Sequence, residues 1–245
     1  MRIPDPPIDP SRSAEFTRLG YWTETTSNDA LERLVRERPN KLAIVDGRVR
    51  LSYREYFRRA ERLAAYLVGL GLGPDDVVAV QLPNWSEFPV AINAAMLAGI
   101  PFCQFHVDFR AREVEFILRF TEASALILPR QFRRFDYLDM LGRLRPSLPR
   151  LRHVLVVGED PTVEYFDLRR FLDAPDDLPL ERELLRRRRP KGPRPCPGCL
   201  HVGYHRRSKG GIAPAQYDQL RRPLRQRRTP HRPGERIARV SAGRA

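Results

Sequence analysis

The alternation of apolar and polar positions is most regular in residues 51–84, which read LSYREYFRRAERLAAYLVGLGLGPDDVVAVQLPN. Ser52, followed three positions later by Glu55, forms a capping box, in which the two side chains bond free backbone N–H groups at a helix start. Apolar residues then recur at helical spacing, at positions 56, 60, 63, 64 and 67. Gly71 suits a left-handed helix stop, and Pro74 keeps the helix from resuming. The pattern predicts one amphipathic helix that ends near Gly71.

A short buried strand is predicted after this helix, because positions 77, 78, 80 and 82 are apolar and Pro83-Asn84 then breaks the run. The same succession recurs along the chain. Further helices are predicted over residues 29–38, 89–97, 112–120, 137–144 and 166–172, the third of them capped near Asp108. Further strands are predicted over residues 42–45, 49–51, 100–105, 125–128 and 151–157. Alternating strands and helices predict an α/β fold, with a mostly parallel sheet flanked by helices.

Charge divides the chain into two kinds of polypeptide. Residues 185–245 contain 18 Lys and Arg against 2 Asp and Glu, whereas residues 1–184 contain 26 basic and 28 acidic residues. All 12 Phe and both Trp precede the basic part. A segment so poor in apolar surface cannot offset the loss of chain entropy on folding. We therefore predict a flexible Pro-rich arm over residues 1–20, a folded unit over 21–184 and a disordered basic tail over 185–245.

Several classes of protein are disfavoured by the same composition. No apolar run is long enough to span a membrane, and the first residues lack the apolar core of a signal peptide. Three cysteines are too few for a disulfide scaffold. We expect a cytoplasmic protein.

The motifs quoted above occur in an order that one family shares. The cap LSYREY, the helix RLAAYL and the turn and strand GLGPDDVVAVQLPN resemble the amino-terminal part of AMP-forming acyl-CoA ligases, of the adenylate-forming superfamily, over about residues 20–158. The resemblance implies the amino-terminal subdomain of that fold. It also implies a reaction in which a carboxylate attacks the α-phosphate of ATP, and coenzyme A then takes the acyl group. The nearest ligases activate cyclic, aromatic or medium-chain carboxylic acids, which includes roles in fatty acid metabolism.

The resemblance implies ATP, Mg²⁺ and coenzyme A as cofactors of the intact family, yet the printed sequence lacks the parts that bind them. A phosphate loop of the form Ser-Gly-Thr-Thr-Gly-x-x-Lys-Gly should follow Gly158 and does not. Lys209 lies in the matching region, but its neighbours Tyr204, His205 and Arg206 would crowd a site in which glycine lets phosphate approach. The acidic residue beside adenine, the ribose-binding Asp, the hinge and the carboxyl-terminal lysine are also missing. We predict an inactive fragment with no catalytic, cofactor-binding or metal-binding residue in frame.

The remaining polar residues near the matching motifs are predicted to be structural. Asn84 is interpreted as a turn residue at a strand end. His106 is a lone histidine, and Asp75-Asp76 is interpreted as a solvated turn rather than a metal site.

A change of reading frame accounts for the missing loop. Codons exist for the ten residues that begin with Val202 and end with Gly211 which, read from their second base, encode Ser-Gly-Thr-Thr-Gly-Glu-Ala-Lys-Gly-Val. The chain has 41 Arg and 3 Lys, which is typical of a GC-rich gene, and shifted frames of such genes are rich in Arg, Pro, Gly and Ala. We therefore hypothesise a frameshift between residues 185 and 195, which would also explain the abrupt change in charge.

Two alternatives keep the tail in frame. As a basic module, it would bind nucleic acid without sequence specificity through counterion release, since only Tyr204 and Tyr217 could stack on bases. As a zinc knuckle, it would use Cys196, Cys199, His201 and His205. The two pairs of ligands are only two positions apart, whereas finger-like sites separate them by about a dozen residues or more.

Overall fold

A computed structural model describes residues 9–21, 25–158, 166–174 and 185. The helices are α1 (Pro10–Arg18), α2 (Ser27–Glu37), α3 (Tyr53–Gly69), α4 (Glu87–Ala98), α5 (Ala111–Phe120), α6 (Tyr137–Leu144) and α7 (Leu168–Asp173). The strands are β1 (Leu42–Val45), β2 (Arg50–Ser52), β3 (Val78–Val80), β4 (Phe102–Gln104), β5 (Ala125–Pro129), β6 (Gln131–Phe132), β7 (Phe135–Asp136), β8 (His153–Val157) and β9 (Phe166–Asp167). A 3₁₀ turn over Arg145–Ser147 follows α6.

The centre of the fold is a five-stranded sheet in the order β4-β3-β5-β8-β9, and every neighbouring pair is parallel. The hairpins β1–β2 and β6–β7 form two separate antiparallel pairs. Because β3 lies between β4 and β5, the chain adds β4 on one side of β3 and then crosses to the other side for β5, β8 and β9. The predicted α/β fold with a mostly parallel sheet is confirmed.

Helices cover both faces of this sheet. On one face, α3, α4 and α7 pack on every second residue of the strands, such as Val78 and Val80 of β3. On the other face, α5 and α6 pack on Ala79 and Leu126. A strand whose successive residues enter two apolar layers has to be apolar throughout, which is why the run after α3 lacks polar alternation.

The local signals around α3 behave as predicted. The backbone N–H of Ser52 donates to Glu55 Oε2 at 2.7 Å, and the Glu55 N–H donates to Ser52 Oγ at 3.3 Å, so the capping box is confirmed. Gly71 adopts φ = +78°, the left-handed conformation expected of the helix stop.

Three local predictions need correction. The start of α5 is not capped by Asp108; instead, the Arg110 N–H donates to Glu113 Oε2 at 3.2 Å, while Asp108 faces His106. The helix predicted over residues 166–172 begins only at Leu168, because Phe166–Asp167 pairs with β8 and Asp167 then caps α7. The β6–β7 hairpin was not predicted, since its turn residues, Arg133 and Arg134, are not typical turn formers.

The two ends of the chain test the domain boundaries only in part. Helix α1 forms inside the segment predicted as a flexible arm, with Asp9 accepting from the Ser11 N–H, and none of its residues is buried. The flexibility of residues 1–20 stays a prediction. The basic tail, from residue 186 onwards, lies outside the described residues, and so do its zinc, nucleic-acid and phosphate-loop hypotheses.

Candidate functional site at the switch point of the sheet

The order of strands predicts a ligand crevice at the carboxyl ends of the strands. In open parallel sheets, ligands bind beyond the carboxyl ends of the strands, at the point where the order of strands reverses. At this point the chain connections lead to opposite sides of the sheet. Here that point lies between β3 and β5, which pair through Val78–Ala125 and Val80–Ile127. The residues that follow these strands, and those that follow β4, therefore form the candidate site.

Gln81 lies at this switch point and is completely buried. Its backbone N–H donates to the Ile127 carbonyl at 2.9 Å, which extends the pairing of β3 with β5. Its side-chain Nε2 lies 3.3, 3.4 and 3.0 Å from the carbonyl oxygens of His106, Val107 and Phe109. One residue thus connects β3, β5 and the segment after β4. We call that segment, residues 105–110, the β4 loop.

Two further side chains bind carbonyl groups of the β4 loop. The Tyr137 hydroxyl donates to the Val107 carbonyl at 2.9 Å from the start of α6. Arg110 Nη1 donates to the carbonyls of Val107 and Phe109 at 3.0 and 3.1 Å, and its guanidinium lies 4.1 Å from the Phe135 ring centre. Burial raises the pKa of the Tyr137 phenol, so the phenol stays a hydrogen-bond donor at neutral pH. The loop backbone is therefore fixed by Gln81 and Tyr137 from outside the loop and by Arg110 within it.

The segment after β3 also follows the switch point, and in it Trp85 lies between two arginines. The guanidinium carbons of Arg48 and Arg169 lie 4.5 and 5.6 Å from its ring centre, and Phe132 of β6 meets it edge-on at 5.7 Å. The buried Glu87 carboxylate binds both arginines, with Oε2 at 3.3 Å from Arg48 Nη2 and Oε1 at 2.7 Å from Arg169 Nε. These contacts hold the first turn of α4 against α7 and the β1–β2 turn.

Asp46, in the β1–β2 turn, caps α4 from a distant part of the chain. Its Oδ2 accepts the Ser86 N–H at 2.8 Å, and its Oδ1 accepts the N–H groups of Arg48 and Val49 at 3.0 and 2.9 Å. Burial alone would raise the pKa of this carboxyl, but the N–H groups of Val49, Ser86 and Arg48 bind its charged form and hold the pKa far below its usual value. Asp46 is therefore an ionised structural group.

The polar residues singled out in the sequence lie in different places. Asn84 is exposed at the end of the β3 segment, beside the crevice. The His106 ring is also exposed on the β4 loop, where its Nδ1 accepts the Asp108 N–H at 3.2 Å. Asp76 lies at the opposite edge, bound to Ser124 Oγ at 2.6 Å and Arg152 Nη2 at 2.6 Å, so it joins strand ends rather than only facing solvent. The assignment of Asn84 and His106 as structural stays a prediction.

Two kinds of site can be tested against the described part of the chain, a metal centre and a membrane span. Within residues 9–21, 25–158, 166–174 and 185, no group of three or more His, Cys, Asp or Glu side chains could hold a metal ion. The helices of these ranges include none that is both long and apolar enough to cross a bilayer. The sequence analysis did not predict the contacts of Gln81, the cap by Asp46 or the two arginines beside the Trp85 ring. The one available signal was a polar Gln inside an otherwise apolar strand run.

Comparisons with known proteins agree with the geometry. The family model described as AMP-binding enzyme matches residues 31–195. A 2-hydroxy-7-methoxy-5-methyl-1-naphthoate–CoA ligase of Streptomyces carzinostaticus is 34% identical over 176 residues, which cover 70% of this chain and 31% of that protein. A salicyl-AMP ligase / salicyl-S-ArCP synthetase of Mycobacterium tuberculosis is 36% identical over 158 residues, covering 62% of this chain and 28% of the relative.

A solved structure shows the same arrangement. The apo structure of MbtA from Mycobacterium smegmatis aligns with a TM-score of 0.61 and 31% identity, covering 71% of this chain and 33% of that one. The matching region thus spans about a third of the length of these relatives.

Proposed function

Because this chain belongs to the AMP-binding enzyme family, we propose that it is the amino-terminal portion of an AMP-forming ligase that activates a carboxylic acid with ATP. The observation that carries this proposal is the family match over residues 31–195, which includes all of β3, β4, β5 and β8 and the crevice at their carboxyl ends. In such a ligase, the acid oxygen forms a bond to the α-phosphorus of ATP, and pyrophosphate leaves. Most of the catalysis then comes from positioning and electrostatic stabilisation.

We propose an aromatic acid as the substrate class. Two relatives at 34% and 36% identity carry naphthoate and salicyl in their names, and a third, of Bacillus subtilis at 34%, is a 2,3-dihydroxybenzoate-AMP ligase. The medium-chain fatty-acid–CoA ligase of Escherichia coli is 26% identical. This ranking favours aryl acids over fatty acids. The acyl acceptor of the second step would be a thiol, since the names of the relatives include both coenzyme A and a carrier protein.

For the 245-residue chain itself, we propose that no acid is activated. ATP-dependent adenylation needs backbone N–H groups and a lysine around the phosphates, and only glycine lets a backbone approach them closely. Residues 202–211 read VGYHRRSKGG in frame, with large side chains at the positions where glycine and threonine are expected. The same codons, read from the second base, can supply the loop. A cytoplasmic location is also proposed, because the three cysteines of the chain are too few for a disulfide scaffold.

The experiment compares two purified proteins. One is the 245-residue chain; the other is translated after one base is deleted within the codons for residues 185–195, which moves translation to the second-base frame. ATP–pyrophosphate exchange is measured with salicylate, benzoate and octanoate. We expect no exchange from the first protein, and exchange from the second that is faster with the aryl acids.

Each part of the proposal has its own contrary result. Exchange by the 245-residue chain would overturn its inactivity. No exchange by the second protein with any of the acids would overturn the frame hypothesis, and a preference for octanoate would overturn the aryl substrate class.

A further inference from the structure

The amide of Gln81 is an unusual group for its position in the fold. It is completely buried, and the residues before and after it in the chain, Val80 and Leu82, belong to the apolar core. Its orientation is determined by its surroundings, because turning the amide over would point Oε1 at three carbonyl oxygens instead of Nε2. In the orientation found, Oε1 is buried and has no hydrogen-bond partner within the described part of the chain.

A buried acceptor without a partner destabilises a fold, and an apolar side chain of the same size would avoid this cost. Each of the three carbonyl oxygens would keep another donor if the amide were absent. Val107 is also bound by Tyr137 and Arg110, the Phe109 carbonyl is bound by Arg110, and the His106 carbonyl accepts the Phe109 N–H. Stability of the sheet therefore does not explain why a glutamine stands at position 81. Its effect is local: it fixes where the β4 loop lies.

We propose that Gln81 is a positioning residue of the switch-point crevice, which holds the β4 loop as a rigid wall of the site. Tyr137 and Arg110 complete the same task, since they bind the carbonyl of Val107 from α6 and from the loop itself. The inference rests on the proposed function in one respect only, namely that the crevice is where the acid and ATP meet. A loop bound by three donors holds the exposed residues His106 and Asp108 in one fixed arrangement beyond the carboxyl end of β4.

Gln81→Met is the variant that separates a positioning role from a structural one. Methionine matches the length of glutamine and fills an apolar site without strain, but it cannot donate to the loop. In the 245-residue protein, hydrogen exchange of the Asp108 and Phe109 amides, which bond His106 Nδ1 and the His106 carbonyl, reports on the loop. Exchange of the Leu126 amide in β5 and the urea midpoint report on the whole sheet.

We expect loop amides to exchange about tenfold faster in Gln81→Met, the effect of losing about one hydrogen bond, while Leu126 and the urea midpoint stay unchanged. Tyr137→Phe removes one donor to the same loop without leaving a cavity and should act in the same direction. Tyr56→Phe is the matched control. It removes a hydroxyl of a partly buried residue that donates to the Pro89 carbonyl at 3.2 Å, on the opposite face of the sheet, and should leave the loop unchanged.

Two outcomes would overturn the proposal. Unchanged loop exchange in Gln81→Met, whatever the result for Tyr137→Phe, would mean that the Gln81 amide does not hold the loop. A parallel rise at Leu126, with a lower urea midpoint, would mean that Gln81 supports the fold as a whole. Neither measurement involves ATP or an acid, so a failure of the proposed function in the pyrophosphate assay would not be confused with either outcome.

Discussion

Replacing Asp46 by asparagine tests how the β1–β2 turn holds helix α4. The Asp46 carboxylate uses Oδ1 for the N–H groups of Arg48 and Val49, and Oδ2 for the N–H of Ser86. Asparagine can keep its single oxygen on the turn, but its NH₂ group then faces the Ser86 N–H, so two donors meet. Asp46→Asn should therefore preserve the hairpin turn and lose the cap on α4.

The magnitude follows from the contacts that are lost. A hydrogen bond to a charged group contributes about 1.5–3 kcal/mol net. A negative charge at a helix start adds about 0.3–1 kcal/mol. Because the Asp46 side chain is only 3% exposed, solvent cannot easily replace it. We expect Asp46→Asn to lower the free energy of unfolding by about 2–4 kcal/mol, a large part of the roughly 5–15 kcal/mol typical of a domain.

Urea unfolding followed by far-ultraviolet circular dichroism measures this loss. The matched control is Asp139→Asn. Asp139 lies in α6, where its carboxylate is more exposed than that of Asp46 and pairs with Arg143 of the same helix. Such surface pairs contribute about 0–1 kcal/mol. If Asp46→Asn destabilised the chain no more than Asp139→Asn does, the distant cap would have no energetic role.

The same carboxylate predicts a pH dependence. The pKa of Asp46 is depressed in the folded chain, so its contribution is fully present above the unfolded pKa of about 3.9 and is lost as pH falls through the folded value. The difference in unfolding free energy between the natural chain and Asp46→Asn should therefore be constant from pH 8 to about pH 5 and shrink below about pH 4. A difference that grew with acid would contradict the assigned ionisation.

The same urea assay tests three further changes. Ser52→Ala removes the side-chain cap of α3 and should cost about 1 kcal/mol. Replacing Arg133 by Asn together with Arg134 by Gly should stabilise the chain by about 1–2 kcal/mol, because both arginines adopt positive φ (48° and 64°) that asparagine and glycine tolerate better; a loss of stability would contradict the strain. Leu172→Ala, at a completely buried position of α7, should cost about 2–5 kcal/mol, whereas Leu19→Ala, at a 45% exposed position, should cost almost nothing.

The parts of the fold that could be predicted depend on residues close together in the sequence. The Ser52–Glu55 box spans one helical turn, and the stop at Gly71 depends on one backbone conformation. The strand run after α3 is apolar because both faces of that strand are covered, which gives a local composition signal. The order of these elements was enough to identify the family.

The parts that could not be predicted depend on partners far apart in the sequence. Asp46 accepts the N–H of Ser86, which lies 40 residues later at the start of α4, and Gln81 binds carbonyls 25 to 28 residues away. No periodicity encodes such pairs. The β6–β7 turn was missed for another reason, since Arg133 and Arg134 are not the residues that usually form a two-residue turn. The hairpin also has a contact that is distant in sequence, between the rings of Phe132 and Trp85.

The buried and half-buried polar groups that follow β3 and β4 are already bound to one another, and this limits what they can contribute to a reaction. Gln81 Nε2 and Arg110 bind loop carbonyls, and Arg48 and Arg169 are shared between Glu87 and the Trp85 ring. A group that must stabilise charge developing in a transition state cannot at the same time be committed to a structural partner. In the ligase that we propose, these groups would therefore supply a rigid wall, and the charge of ATP would be met by other elements. A frameshift after residue 185 would remove the elements that bind ATP and leave the folded unit before it unchanged.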